Sequence, residues 1–170
     1  MRSSAEGAPL YATKAVDPII INAGDGAHEH PTQALLDMFS IIERKGSLEG
    51  KKVVIVGDIM HSRVARSDVY GLTKMGADVH LAGPRTMLYP ELEKMGVTIH
   101  HDVREAVKDA DVVNVLRIQL ERIHSALYPT NREYARIFGI NKDVLSLAKD
   151  DVMVMHPGPM NRGLEISPDV

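Results

Sequence analysis

Cysteine is absent from all 170 residues, which removes disulfides, zinc–cysteine centres and thiol nucleophiles and agrees with a reducing compartment. Any nucleophilic role falls to histidine, serine or lysine. A basic excess is missing as well: 20 Lys and Arg against 23 Asp and Glu leave a net charge of -3, so the backbone of a nucleic acid meets no electrostatic footprint. No apolar run reaches the roughly 18 to 20 residues that span a bilayer, and no apolar signal region stands at the N-terminus. The expectation is a soluble, cytoplasmic chain with neither nucleic acid nor membrane as a partner. Internal repeats and low-complexity tracts are also lacking, which removes solenoids.

What is present fits one ordinary core: 44% of the residues are hydrophobic, and the length suits one domain better than two. Strand-like apolar runs occupy residues 18–22, 53–57, 78–82, 97–100, 111–116 and 152–155, most of them alternating with helix-like stretches. That alternation predicts a parallel sheet with crossover helices. The runs are short and nearly all apolar, as in Val53-Val54-Ile55-Val56, which suits strands covered on both faces. The fold class expected is α/β: a doubly wound, Rossmann-like parallel sheet of about five strands with helices on both faces. An N-terminal helix over residues 3–16 and the run 18–22 form a helix-strand remnant of a second domain, having nowhere of their own to bury. Residues 1–32 are assigned to that remnant and its link, and residues 33–170 to the main domain.

The helix beginning at Pro31 places Leu35, Phe39 and Ile42 on one stripe with Asp37, Ser40 and Glu43 turned elsewhere, and Gly46 closes it. Further helices are expected over 62–75, 90–95, 103–108, 130–137 and 141–148.

Three segments carry chemistry. In His30-Pro31-Thr32-Gln33, proline fits the first helical position and His30 becomes the N-cap. His30 and Gln33 then reach the same space beyond the helix N-terminus, where the macrodipole favours a neutral imidazole able to donate to a carbonyl oxygen. A capping histidine beside a surface glutamine is the plainer alternative. The second segment, His61-Ser62-Arg63-Val64-Ala65-Arg66, opens a helix after the strand at 53–57 and has the make-up of an anion site. It lacks the Gly-x-Gly-x-x-Gly spacing of a dinucleotide site. A single carboxylate or phosphate is the better guess, and a solvated arginine the alternative, more so for Arg66.

Arg117 and Gln119 share one side of the chain as the strand at 111–116 ends. Ordinary right-handed winding puts the first and fourth of the five later strands side by side where strand order reverses, and there ligands bind. Arg63 and Arg117 then face each other across one crevice, an arrangement that a dicarboxylate relieves. Arg122 serves equally well as an ion-pair partner for Glu121. The third segment, His156-Pro157-Gly158-Pro159, is a rigid turn that exposes carbonyls to an amide or amine, or else an ordinary connection. The pairs His28/His30 and His100/His101 have no convincing third ligand, and metal is not expected.

These segments, with Arg2-Ser3-Ser4-Ala5-Glu6-Gly7-Ala8-Pro9, Asn22-Ala23-Gly24-Asp25-Gly26 and Arg117-Ile118-Gln119-Leu120-Glu121-Arg122, closely resemble the aspartate carbamoyltransferase family over nearly the whole chain. His-Pro-x-Gln is shared with ornithine carbamoyltransferases, but those are expected to carry Ser-Met-Gly and His-Cys-Leu-Pro where this chain has Arg-x-Gln and His-Pro-Gly-Pro. The resemblance implies transfer of a carbamoyl group from carbamoyl phosphate to the α-amine of L-aspartate, in pyrimidine synthesis, with no metal or organic cofactor. It implies that His30 and Gln33 contact the carbamoyl group and that Arg2 contacts phosphate and carbonyl oxygen. Arg63, Arg117 and Gln119 would hold aspartate, and the turn at Pro157 and Gly158 would accept from the carbamoyl NH₂. It also implies homotrimers with sites straddling subunits, and admits regulatory chains as further partners. The family's Ser-Thr-Arg-Thr phosphate turn, the loop whose serine and lysine enter a neighbouring site, and the returning C-terminal helix have no counterpart in this sequence. By resemblance the chain is the aspartate-binding half with the linking helix, inactive alone; a non-catalytic binding or assembly module of the same fold, and an ornithine carbamoyltransferase, are the alternatives.

Overall fold

The computed structural model describes residues 1–118 and 130–170. Five parallel strands form one sheet: β1 (Lys52–Val56), β2 (Asp78–Ala82), β3 (Thr98–His100), β4 (Val112–Val115) and β5 (Met153–Met155), in the order β3-β2-β1-β4-β5. The expected doubly wound α/β sheet is therefore present, and β1 pairs with β4 at the reversal, Val53 opposite Val112 and Val56 opposite Val115. The helices are α1 (Ala8–Ala12), α2 (Pro31–Lys45), α3 (Arg63–Lys74), α4 (Val103–Val107), α5 (Asn131–Phe138) and α6 (Lys142–Leu145).

Alternation along β1 explains the layering. Val53 and Ile55 point into a core shared with Ile41 of α2 and Ala65, Val69 and Leu72 of α3. Val54 and Val56 point the other way, into a core with Val103 and Ala106 of α4 and Val144 of α6. Val53 through Val56 are all buried to within 1%, and each such side chain stabilises the sheet by about 1.5–3 kcal/mol. β1 and β2 come together at their C-terminal ends so tightly that a Cβ on Gly83 would lie 2.5 Å from the Gly57 carbonyl oxygen.

Several expectations need correction. Residues 18–22 form no strand: Ile19 and Ile21 are 92% and 63% exposed, and without a neighbouring ladder an apolar run cannot pair its backbone. The N-terminal helix shrinks from 3–16 to Ala8–Ala12, starting after Gly7 in the left-handed region at φ 75°. α6 is likewise only Lys142–Leu145, and residues Pro90–Met95 wind as a 3-10 turn.

The largest reversal concerns the face of α2. Leu35 and Phe39 are each 63% exposed, whereas Asp37 is only 6% exposed. Ala34, Asp37 and Ile41 turn inward. The stripe of Leu35, Phe39 and Ile42 is present, but it faces outward, and the side turned inward carries Asp37.

Candidate functional site

The loops that leave the C-terminal ends of β1 and β4 border a cleft of about 240 Å³, lined by Arg2, His30, Gln33, Arg63, Arg117, Pro157 and Gly158 together with Ser62, Val64 and Pro159. Every residue singled out from the sequence as a substrate contact, apart from Gln119, lies on this one cleft. Gln119, with Glu121 and Arg122, falls outside the described residues. Among the described residues the charged side chains of the lining are three guanidiniums, those of Arg2, Arg63 and Arg117.

Arg2 is brought in by a knot around Asp25. That buried carboxylate accepts from the backbone of Gly7 (2.9 Å) and Glu29 (2.9 Å), from Asn22 Nδ2 (3.2 Å), and bonds His28 Nδ1 (3.1 Å). Burial by itself would raise its pKa, yet these partners hold it at about 2. Ser3 N–H donates to the Gly24 carbonyl at 2.9 Å, completing the attachment of residues 1–7 to 22–29.

His30 takes the N-cap position of α2, as the proline predicts, but its side chain caps nothing. Its backbone N–H donates to Ser67 Oγ at 2.9 Å, and that hydroxyl in turn donates to the Glu29 carboxylate. Nδ1 of His30 lies 3.2 Å from Thr32 Oγ1. When the threonine hydroxyl donates to Nδ1, Nε2–H becomes the ring's donor. The His30 pKa is lowered by burial first, then by the charges of Arg63 and Arg2; the neutral ring expected from the macrodipole is favoured here chiefly by other forces. Gln33, one turn along, donates from Nε2 to Asp37 Oδ1 at 3.0 Å.

Arg63 begins α3. Ser62 caps the helix by accepting from Ala65 N–H at 3.1 Å, and the preceding loop is shaped by buried Asp58, which accepts from His61 N–H at 3.2 Å and bonds His61 Nδ1 at 2.8 Å. Arg63 is not a solvated arginine. It is 7% exposed, its Nη1 donates to the Gly26 carbonyl at 3.2 Å, and its guanidinium lies flat enough on Gly24 that a Cβ there would stand 2.8 Å from Cζ.

Arg117 follows β4, and the neighbouring turn is fastened to it. His156 accepts from Gly158 N–H on Nδ1 at 2.8 Å and bonds buried Glu165 through Nε2 at 3.2 Å. Asn161 Nδ2 donates to the Ile118 carbonyl at 3.2 Å. His156 is thus a brace, and the turn presents Pro157 and Gly158 to the cleft. Asp25, Asp37 and Glu165 are supports that the sequence did not reveal; for Asp25 the only signal was an acid within a segment already matched, and Glu165 lies beyond the last of those segments.

His80 and His100 are engaged elsewhere. His80 lies between His100 (2.8 Å) and Asp78 (3.0 Å), its ring stacked on that of His100. Among the described residues no helix is long and apolar enough to cross a membrane.

Comparison with known proteins matches residues 49–170 to the family described as aspartate/ornithine carbamoyltransferase, Asp/Orn binding domain, and residues 1–43 to its carbamoyl-P binding domain. The aspartate carbamoyltransferase catalytic subunits of Pelotomaculum thermopropionicum and Geotalea daltonii are 62% and 63% identical, matching 100% of this chain and 55% of each relative. Aspartate transcarbamoylase from Trypanosoma cruzi, solved with N-(phosphonacetyl)-L-aspartic acid, superposes with a TM-score of 0.84 at 31% identity, over 100% of this chain and 56% of that one. Ornithine carbamoyltransferase from Pyrococcus furiosus superposes with a TM-score of 0.83 at 33% identity, over 99% of this chain and 56% of that one. The chain spans about half the length of the curated relatives it matches. On these matches the chain belongs to the aspartate/ornithine carbamoyltransferase family.

Proposed function

We propose that the chain supplies the aspartate-binding part of an aspartate carbamoyltransferase, residues 33–170, joined through residues 1–32 to the carbamoyl phosphate side. The single observation that carries this reading is the cleft that Arg63, at the start of α3, shares with Arg117, just after β4, at the strand-order reversal. Two guanidiniums held together favour an occupant with two carboxylates, and planar forks suit carboxylate geometry.

In this reading Arg63, Arg117 and Gln119 hold the two carboxylates of aspartate. Arg2 meets the phosphate and carbonyl oxygens, His30 donates to the carbonyl oxygen, and Gln33 with the carbonyls of Pro157 and Gly158 takes the carbamoyl NH₂. The α-amine attacks the carbamoyl carbon: the N–C bond forms, the C–O bond to phosphate breaks, and the amine gives up its proton as phosphate leaves. Catalysis is positioning plus stabilisation of the developing oxyanion. A neutral His30 serves this role because it donates without repelling Arg2 and Arg63.

The exposed stripe of Leu35, Leu36, Phe39 and Ile42 on α2 supports a further apolar contact there, and we assign it to the carbamoyl phosphate-binding half. N-carbamoyl-aspartate for pyrimidine synthesis in the cytoplasm, and a homotrimer that accepts regulatory chains, complete the proposal. Ornithine is disfavoured because its side-chain ammonium would face two guanidiniums.

The test is carbamoyl-aspartate formation by the chain alone and after addition of the carbamoyl phosphate-binding half of a close relative. Activity only with the added half supports the proposal. Carbamoylation of ornithine in preference to aspartate overturns it, and no reaction with either amine while the two halves bind each other favours a non-catalytic assembly module.

A further inference from the structure

Gln33 is aimed by a group that has too few protons on its surface. Its Nε2 donates to Asp37 Oδ1 (3.0 Å) on the inward face of α2. Behind Asp37 stands Asp68 of α3, wholly buried, which accepts from Asn114 Nδ2 of β4 at 3.0 Å through Oδ2. The two carboxyl groups act on each other directly, and the Asn114 amide acts on both. Among the described residues the remaining oxygens, Asp37 Oδ2 and Asp68 Oδ1, are buried and have no donor, and Asn114 Oδ1 beside them is likewise unmet. Two ionised carboxylates in contact inside a core repel, and each bare oxygen carries an unmet desolvation cost.

The charged groups facing this spot are the two acids themselves; Gln33 and Asn114 are neutral, and no cation is among the groups that act on either acid among the described residues. One proton resolves both defects. Asp37 Oδ1, which accepts from Gln33, is a poorer place for it than the bare Oδ2.

We propose that Asp37 and Asp68 share a single proton between Asp37 Oδ2 and Asp68 Oδ1, and that this acid pair is the positioning element that aims the Gln33 amide into the cleft. With Nε2 committed to Asp37, Gln33 keeps its carbonyl oxygen as the acceptor it offers to the cleft. Burial pushes Asp37 up to about 6, and burial together with the Asp37 charge pushes Asp68 well above the carboxylate range. Asp37 is thus the member that ionises first as pH rises, and Asp68 is the one that keeps the proton at neutral pH. The carbamoyl reading bears only on what Gln33 then meets; the shared proton stands or falls independently of turnover.

Infrared spectroscopy of the 170-residue chain at pH 7 tests this, read as the difference between wild type and Asp68→Asn so that any other carboxyl group cancels. A protonated-carboxyl C=O band is expected in the wild type and is lost in Asp68→Asn, whose amide still donates to Asp37 and preserves the shape. Gln33 side-chain amide hydrogens should exchange slowly in the wild type and in Asp68→Asn, and about tenfold or more faster in Asp37→Ala, where the acceptor is gone. Absence of the band at pH 7, its survival in Asp68→Asn, or unchanged Gln33 exchange in Asp37→Ala overturns the proposal.

Discussion

Arg63 Nη1 donates to the carbonyl oxygen of Gly26 across 3.2 Å, so a side chain expected to meet a ligand also pins the segment that leads into α2. Ligand affinity and the seating of residues 22–30 are coupled through one guanidinium. Arg63→Ala should therefore destabilise the chain by about 1.5–3 kcal/mol in urea unfolding, the range for a hydrogen bond to a charged group, besides weakening dicarboxylate binding. A surface arginine would cost far less.

Gly24 has φ 118° and leaves no room for a Cβ beside Arg63. Gly24→Ala should cost about 1–3 kcal/mol from strain and displacement of the guanidinium. Circular dichroism during urea unfolding measures the loss, and succinate binding should weaken in the same variant.

His30 is held below its ordinary pKa by burial and by the charges of Arg63 and Arg2. The unfolded chain therefore takes up this proton before the folded one does, and stability falls as pH drops through the unfolded value of about 6.5. Arg2→Gln should raise the His30 pKa, read by NMR titration of the ring. In an enzyme complete in both halves, His30→Ala should lower kcat by about 10² or more while changing the KM for aspartate less.

The acid pair reverses that sign. Asp37, at about 6 when folded, keeps a proton that the unfolded chain has already released above about pH 4, so this contribution to stability declines as pH rises through that window. Raised further, Asp68 extends the decline toward higher pH. Asp68→Asn should flatten the fall in urea midpoint between pH 5 and 8, at an unfolding slope like that of the wild type.

Glu165 braces the turn through His156 and Asn161. Glu165→Ala should cost about 1–3 kcal/mol by leaving buried partners unmet, and the amide of Gly158 should lose hydrogen-exchange protection.

Much of the sheet was legible because parallel strands covered on both faces read as short apolar runs, and winding rules then set β1 beside β4. Residues 18–22 read the same way but lie on the surface, since apolar content says nothing about which partner covers it. Leu35 and Phe39 show the same limit: a stripe reveals amphipathicity, and only the fold reveals that Ala34, Asp37 and Ile41 are the residues turned inward. The cleft residues were legible as motifs at strand ends. Their supports were not, because Asp37, Asp68 and Asn114 come from three elements far apart in sequence and meet only in the folded chain.

The most direct measurement is a succinate titration of the chain followed by two-dimensional NMR, with ornithine as the comparison. Saturable shifts centred on Arg63, Arg117 and Gly158 are predicted for succinate, with affinity reduced by about 2 to 5 kcal/mol in Arg117→Ala and no such shifts with ornithine. Succinate shifts scattered away from this cleft, or tighter binding of ornithine to it, would contradict the dicarboxylate site.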